Sequence, residues 1–415
     1  MIHIKPTFAV PLLAAALLSV DAAAQGRIVR LPERDRPLTG TPAPVYSIGR
    51  ADGAAHEAFG IVAGVAFDAS DNLYVLDRQS AHVLVYDRAG RFVRQIGKKG
   101  EGPGELMMPL QLAIGGDGTV IVSDLGRRGY SLFRPDGTFL RNVVMEGYMP
   151  GLGGGALGWH PRGGAVAPVR EPMGPPRPGS STTTQNVMPL LYQPLAGGEP
   201  TRLYEIPQPI RVEQQSSGSN QVQVRMSPPP MFSPPVLFGV IPSGQMALSF
   251  TTGYTVRILD ASGQTVRYLQ RPMRTRLTTE ADRERGRELQ REGIASGRNA
   301  IRVQIGGGGG GPAPREPSRQ EIERRLGEIG FADTIPALRG LRVAPSGKLW
   351  VERTGRVVGE PGPIDLVTPE GQYLGTITGT TLPDAISRNG LAAYIERDDD
   401  DVERVVVRRL PEGWR

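Results

Sequence analysis

The sequence predicts an all-β chain folded as a six-bladed β-propeller, closed by an N-terminal outer strand and carrying a Pro-rich and a helical insertion. Three observations predict it. The window "VAFDASDNLYVLDRQSAHVLVYDRAGRFVRQI" (Val65–Ile96) aligns without a gap on "LAIGGDGTVIVSDLGRRGYSLFRPDGTFLRNV" (Leu112–Val143), 47 residues further on. Periods of about 40 to 50 residues with several strands per unit are those of propeller blades. The middle strands are continuous apolar runs, "LYVL", "VLVY" and "VIV", and a continuous run needs cover on both faces, as stacked blades give. Finally, the last unit supplies only three strands, whereas "VYSIG" (Val45–Gly49) is a spare strand ahead of the first. Pairing the two closes the ring and removes the free sheet edges.

Taken in order, residues 1–24 read as an export leader. Lys5 gives the positive start, Phe8–Val20 the apolar stretch and Ala22–Ala24 the small-residue cleavage pattern, with removal near Ala24. The apolar stretch of 13 residues ends at Asp21, short of the roughly 20 that span a bilayer. The mature chain is therefore expected in the periplasm or outside the cell, with no transmembrane segment. Residues 25–42 form an N-terminal extension, and 43–415 the propeller.

The first unit reads as "GVAFD", "NLYVLD", "HVLVYD" and "FVRQIG", separated by turn-forming residues. Its innermost strand is rich in small residues, Ala63, Gly64 and Ala66, as strands converging on an axis require. "GKKGEGPGEL" then crosses to the second unit. It holds no G-K-[ST] and leads into a strand, so it is a link and not a phosphate loop. A looser third unit spans "GWHPRGGAVAPV" and "LLYQPLAGGEPTRLYEI", a fourth Val240–Leu269, a fifth Arg342–Ile377 with a longer middle loop, and a sixth Ala385–Leu410.

Segments 170–189 and 205–235 are rich in Pro, Ser, Gln and Gly, a composition expected to stay extended or disordered. The insertion 275–338 is expected to be helical over Thr278–Glu292 and again after the capping pair Ser318 and Glu321, with Ile322, Leu326 and Ile329 as an apolar stripe and Gly306–Pro314 as a linker. It is either a flap over one propeller face or a helix laid on the blade sides.

With no cysteine, the chain has neither disulfides nor thiolate sites, so it must rely on a large core. The net charge is +6. Only four basic residues are lysines; the arginines are interleaved with acids, which describes a solvated surface rather than a nucleic-acid interface.

The residues "NLYVLD", "VLVYDRAGRFVRQIG", the link "GEGPGEL" with Pro109, and "VIVSD" resemble the NHL-repeat family of six-bladed β-propellers, in particular its exported bacterial group. The resemblance covers residues 45–147 closely and the rest loosely. It implies the fold. Because such families include binding scaffolds and a few enzymes, it does not imply a reaction.

Asp77 and Asp124 end the second strands of the first two units, where Phe250 and Arg353 stand in later ones. They could hold a calcium ion or accept backbone N–H bonds in the following turns, the reading the residues favour. His56, His82 and His160 lack metal-site spacing, and "RDDDDVE" (Arg397–Glu403) lacks the spacing of a calcium loop. No cofactor is expected. The expected function is a non-enzymatic binding module whose axial rim carries Arg78, Lys98, Lys99, Glu101, Arg127 and Arg128 and meets a protein, peptide or glycan partner. The alternatives are a metal-dependent hydrolase or lyase of the lactonase kind, using calcium or zinc, and an architectural protein of envelope assembly.

Overall fold

A computed structural model describes residues 26–415 except 55, 153–154, 172–181, 218–220, 228, 296–317 and 399. The leader 1–24 and the linker Gly306–Pro314 lie outside the described residues, as does the side chain of Glu321.

Two strands precede the ring, β1 (Arg27–Arg30) and β2 (Ala43–Ile48). Blade 1 is β3 (Val62–Phe67), β4 (Leu73–Asp77), β5 (His82–Tyr86) and β6 (Phe92–Ile96). Blade 2 is β7 (Pro109–Ile114), β8 (Val120–Asp124), β9 (Gly129–Phe133) and β10 (Phe139–Val144). Blade 3 holds β11 (Gly158–His160), β12 (Gly164–Pro168), β13 (Thr182–Pro194), β14 (Thr201–Ser217) and β15 (Gln221–Ser227). Blade 4 follows with β16 (Leu237–Val240), β17 (Met246–Ser249), β18 (Thr255–Leu259) and β19 (Thr265–Gln270). The helical insertion comprises β20 (Arg276–Leu277), α1 (Glu280–Ala295), α2 (Arg319–Gly327) and β21 (Thr334–Ile335). Blade 5 is β22 (Leu338–Val343), β23 (Leu349–Arg353), β24 (Ile364–Val367) and β25 (Tyr373–Ile377). Blade 6 has β26 (Ala385–Ile386), β27 (Leu391–Arg397) and β28 (Glu403–Arg409).

The strands of each blade pair in sequence order, antiparallel throughout, which is how short hairpin turns stack a meander. Blade 6 is completed by β2, which pairs antiparallel with β28 (Ser47 opposite Val406), so the spare N-terminal strand closes the ring as its sequence predicts. The core is not one mass. Six apolar clusters fill the six seams, each made by the facing sides of two neighbouring blades. In blade 1, Leu73 and Val75 face blade 6 while Tyr74 and Leu76 face blade 2. Both faces of a middle strand are thus covered, and this is the physical reason for its unbroken apolar run.

Two findings go beyond the sequence reading. Residues 205–217 and 221–227 are not loose: Arg211–Ser217 of β14 pair with Gln221–Ser227, and Thr182–Gln185 pair with Ile210–Glu213. Polar composition did not prevent pairing because β-branched Thr and Val recur along both segments. The extension before the ring is also structured. Its β1 adds to β19 as a parallel fifth strand of blade 4 (Ile28 opposite Tyr268). Leu31 is buried in the seam of blades 4 and 5, Pro37 bridges to Thr376 on the edge of blade 5, and β2 then closes blade 6. The chain therefore runs as a strap around three outer edges. Gly375 has φ 141°, and a Cβ there would lie 2.6 Å from Leu38 Cγ, so the strap approaches blade 5 only because this residue is glycine.

Candidate functional site

Because each blade starts at its inner strand, the loop between its second and third strands shares one face with the link to the next blade. Asp77 and Asp124 sit on that link face at matching positions, opposite Val62 and Pro109. Both are fully buried. Asp77 accepts the N–H groups of Gly60 (2.9 Å) and Ile61 (3.2 Å) from the incoming link, those of Gln79 and Ser80 from its own turn, and the Ser80 hydroxyl. Asp124 accepts those of Met107 (2.8 Å), Met108 (2.9 Å), Gly126 and Arg127. Each carboxylate thus fastens a turn to a link, surrounded by N–H donors that hold a negative charge as a cation would. Among the described residues, no three or more His, Asp or Glu side chains gather so as to hold a metal ion.

The "GKKGEGPGEL" link folds back on itself. Leu106 N–H donates to the Lys98 carbonyl (2.8 Å), and the Glu105 carboxylate accepts from Gly102 N–H (2.8 Å) while pairing with Lys98 Nζ (3.1 Å). Bonding to Gly102 N–H first, and then to Lys98, holds the Glu105 carboxyl below its usual range. Arg127 Nη2 donates to the carbonyls of Gly102 and Glu105, so this residue braces the link. Lys98, Lys99, Glu101 and Arg128 are exposed, and Arg78 is half-buried. The expected rim residues therefore share one face, but Lys98 and Arg127 are engaged in shaping it.

Where the ring closes, a cavity of about 360 Å³ opens on this face. Arg50, Phe59, Ile61 and Gln79 line one side, and Arg397, Asp401 and Glu403 the other. Glu403 accepts Val62 N–H (2.5 Å) and pairs with Arg397 (2.7 Å), which also pairs with Asp401. Asp398 accepts the N–H groups of Asp400 and Val402. The acidic run of blade 6 is thus a hairpin tip, as expected, but one that forms a cavity wall. Sequence reasoning missed Arg50, Arg397 and Glu403, because residues some 340 positions apart meet only once the ring has closed.

Blades 3 to 5 furnish the same face differently. Both insertions rise from it, since one follows the second strand of blade 3 and the other links blades 4 and 5. They meet where the link from blade 3 to blade 4 passes the helical insertion: Met231 N–H donates to the Gly330 carbonyl (2.8 Å), Ala332 N–H to that of Met231 (2.9 Å), and the Phe232 and Phe331 rings pack with centroids 5.6 Å apart. Leu289 of α1 packs on Gly359, in the middle loop of blade 5. The described part of the insertion is therefore a cap on the face and not a helix on the blade sides. Helix α1 begins at a reciprocal cap, in which Thr279 and Asp282 exchange bonds (Asp282 N–H to Thr279 Oγ1, 3.2 Å; Thr279 N–H to Asp282, 2.9 Å).

In blades 4 and 5 the charges are buried. Arg353 stands opposite Leu338, the position of Asp77 and Asp124 in their blades. It pairs with Asp35 of the strap (2.8 Å) and approaches Asp365 (3.6 Å). Arg271, whose side chain is fully buried, pairs with Asp365 (2.7 Å) and Asp35 (2.6 Å) and donates to the carbonyls of Pro32 and Glu33. Burial would draw its guanidinium down, but bonds to Asp365 and Asp35 more than reverse this. Burial likewise pushes the Asp35 carboxyl up, and Arg353 and Arg271 outweigh it and hold the group below its usual value. In the next seam, burial raises the carboxyls of Glu352 and Asp384, beside Arg339 (3.5 Å) and Arg342 (3.6 Å) respectively.

The histidines are apart. His56 stacks on Phe92 with centroids 4.4 Å apart, and His82 starts β5. His160 accepts Arg162 N–H at Nδ1 (3.2 Å) and meets the Gly244 carbonyl at Nε2 (2.9 Å).

A family model, DUF5128, described as a 6-bladed beta-propeller, matches residues 59–128, which is blade 1 and half of blade 2. No curated protein matches the chain. Among solved structures it is similar to a Bacteroides fragilis protein described as exported (12% identity, TM-score 0.47, 93% of this chain and 100% of the other). It is also similar to virginiamycin B lyase from Staphylococcus aureus (9% identity, TM-score 0.42, 88% and 99%). A third is a calcium-binding protein, regucalcin, from Agrobacterium tumefaciens (12%, 0.38, 93% and 98%). At such identities the likeness is one of fold, not of ligand or reaction.

Proposed function

We propose that the chain is an exported, non-enzymatic binding module that takes a protein, peptide or glycan partner on the half of the link face formed by blades 6, 1 and 2. The carrying observation is the cavity at the closing seam, whose volume of about 360 Å³ falls in the range of ligand pockets, roughly 300–1,000 Å³. The insertions wall the far side of the face and leave this half open. Its wall mixes Phe59 and Ile61 with charged groups, as ligand sites do. The acids in the cavity are already matched by Arg397, and on the same face Arg50, Lys99 and Arg128 are exposed, Arg50 within 3.9 Å of Asp52. That balance favours an acidic partner, and residues 1–24 support export.

The test is a charge reversal. Poly-glutamate and polygalacturonate are expected to raise the melting temperature of the mature chain at low salt, less so at 0.5 M salt, where screening is strong. Arg50→Glu with Lys99→Glu and Arg128→Glu should abolish the rise. An unchanged rise in that variant would remove the surface from consideration. The metal-dependent hydrolase reading has its own test. Stoichiometric calcium or zinc in the purified chain, with a lower melting temperature on chelation, would displace the binding reading.

A further inference from the structure

The outer edges of blades 1 and 4 are one edge built twice. "AGRFVRQI" (Ala89–Ile96) and "SGQTVRYL" (Ser262–Leu269) form the same turn and outer strand, while "RPDGTF" (Arg134–Phe139) and "TPEGQY" (Thr368–Tyr373) form the matching turn of the next blade. The packing across the seam repeats as well. Arg94 donates to the Pro135 carbonyl, and Arg267 to that of Pro369 (3.5 Å). Gly137 and Gly371 have φ of 93° and 94°; a Cβ would meet Ile96 at 3.4 Å in the first and Leu269 at 3.2 Å in the second.

The two edges differ in what covers them. On blade 4, β1 of the strap runs beside β19, and Val29 lies so close over Gly371 that a Cβ there would collide with it. On blade 5 the strap bonds to Thr376, whose N–H donates to the Arg36 carbonyl (2.8 Å) and whose carbonyl accepts Leu38 N–H (2.8 Å). Gln95 holds the position of Tyr268 and Thr376 in blade 1, and among the described residues no strand lies outside β6. Phe92 and Val93 are 39% and 42% exposed, whereas their counterparts Thr265 and Val266 are half-buried. An uncovered edge with exposed apolar side chains is a template for another strand.

We propose that the outer edge of blade 1 binds an extended segment of a partner protein as a parallel strand on β6, with a β-branched residue seated over Gly137 as Val29 is over Gly371. The edge continues the belt that the strap lays on blades 4, 5 and 6. The strap itself is not free to fill it, since β1, Asp35 and β2 hold it to those blades. The added segment is confined to a single strand: Arg141 stands in blade 2 where Gly375 admits Leu38 in blade 5. This surface is separate from the cavity on the link face, and its failure leaves that reading untouched.

The probe is a fluorescein-labelled peptide with the sequence of residues 26–33, GRIVRLPE. The control is the same peptide with Val29→Pro, which lacks the central N–H. At about ten times the dissociation constant of the probe, amide exchange over residues 91–97 is expected to slow about tenfold, with no change over 265–270. The control should protect neither segment. Gln95→Pro, which an edge strand accommodates where the lost N–H faces outward, should abolish the anisotropy rise of the probe. If that variant does not fold, Gly137→Asn replaces it, since Asn accepts a positive φ and sets a side chain where the branched residue would sit. Unchanged exchange at 91–97, equal protection by the control, protection at 265–270 instead, or undiminished binding to the variant would each overturn the proposal. A free chain that sediments as a dimer with 91–97 already protected would make the occupant a second copy and overturn it too.

Discussion

The two halves of the link face solve one problem with opposite charges. In blades 1 and 2 the end of the second strand holds an aspartate, which gathers N–H groups from its own turn and its own incoming link. In blade 5 the same register position holds Arg353, which backbone amides cannot satisfy, and its partners are Asp365 and a residue from outside the ring, Asp35. The first half is self-sufficient and stays open. The second must be completed from elsewhere, by a strap around its edge and a cap over its top. The difference teaches that the N-terminal extension is part of the fold of blades 4 and 5, beyond closing blade 6.

The sharpest break of this comparison lies at Arg271. Replacing it with Met leaves Asp365 buried with its main counter-charge gone, and should cost about 3–5 kcal/mol of unfolding free energy. Urea unfolding would show it as a lower midpoint at unchanged slope. Asp77→Ala comes next, expected at about 3 kcal/mol, since it strands several N–H donors at once. A loss below about 1 kcal/mol at Asp77 would mean that the aspartates are not what ties turn to link in the open half.

Asp35→Ala should cost less, about 1–2 kcal/mol, because its side chain is 40% exposed and water can replace it. The sign of its pH dependence follows from its lowered pKa. The stabilisation is complete above the unfolded carboxyl range and fades as pH falls through the lower, folded value. The wild type and Asp35→Ala should therefore converge in stability in strong acid and diverge above about pH 4. Parallel curves would break the link between strap and buried arginines.

How much of this was legible depends on distance along the chain. The blades of the open half repeat at a constant offset, so Asp77 and Asp124 and their αL residues Ala81 and Arg128 could be aligned by eye. The turn role of the aspartates was equally readable, because their donors lie within about twenty residues. The strap was not. "RIVRLPERDR" carries no periodic signature long enough to separate a strand from a tail, and Asp35 finds Arg353 over 318 positions. The cavity wall failed for the same reason: Arg50 and Glu403 belong to opposite ends of the chain.

The smallest effect is a proton. His160, in blade 3 at the turn opposite the link face, accepts an N–H at Nδ1 and therefore donates from Nε2 to the Gly244 carbonyl, an arrangement that demands the neutral ring. Burial, the main cause, holds its pKa below the usual value. The unfolded chain then binds this proton more readily than the folded one, so stability rises with pH across the interval between the folded and unfolded values. The wild type should lose stability as pH falls below about 6.5, by at most about 1.4 kcal/mol per pH unit for one group. His82 is shifted in the same direction by burial, against the pull of Asp77, and lies in the open half. The single variants His160→Gln and His82→Gln, melted between pH 5 and 8, divide the slope between the two histidines. If His160→Gln leaves the slope unchanged, the ring at that position is not held neutral, and the proton belongs to the open half.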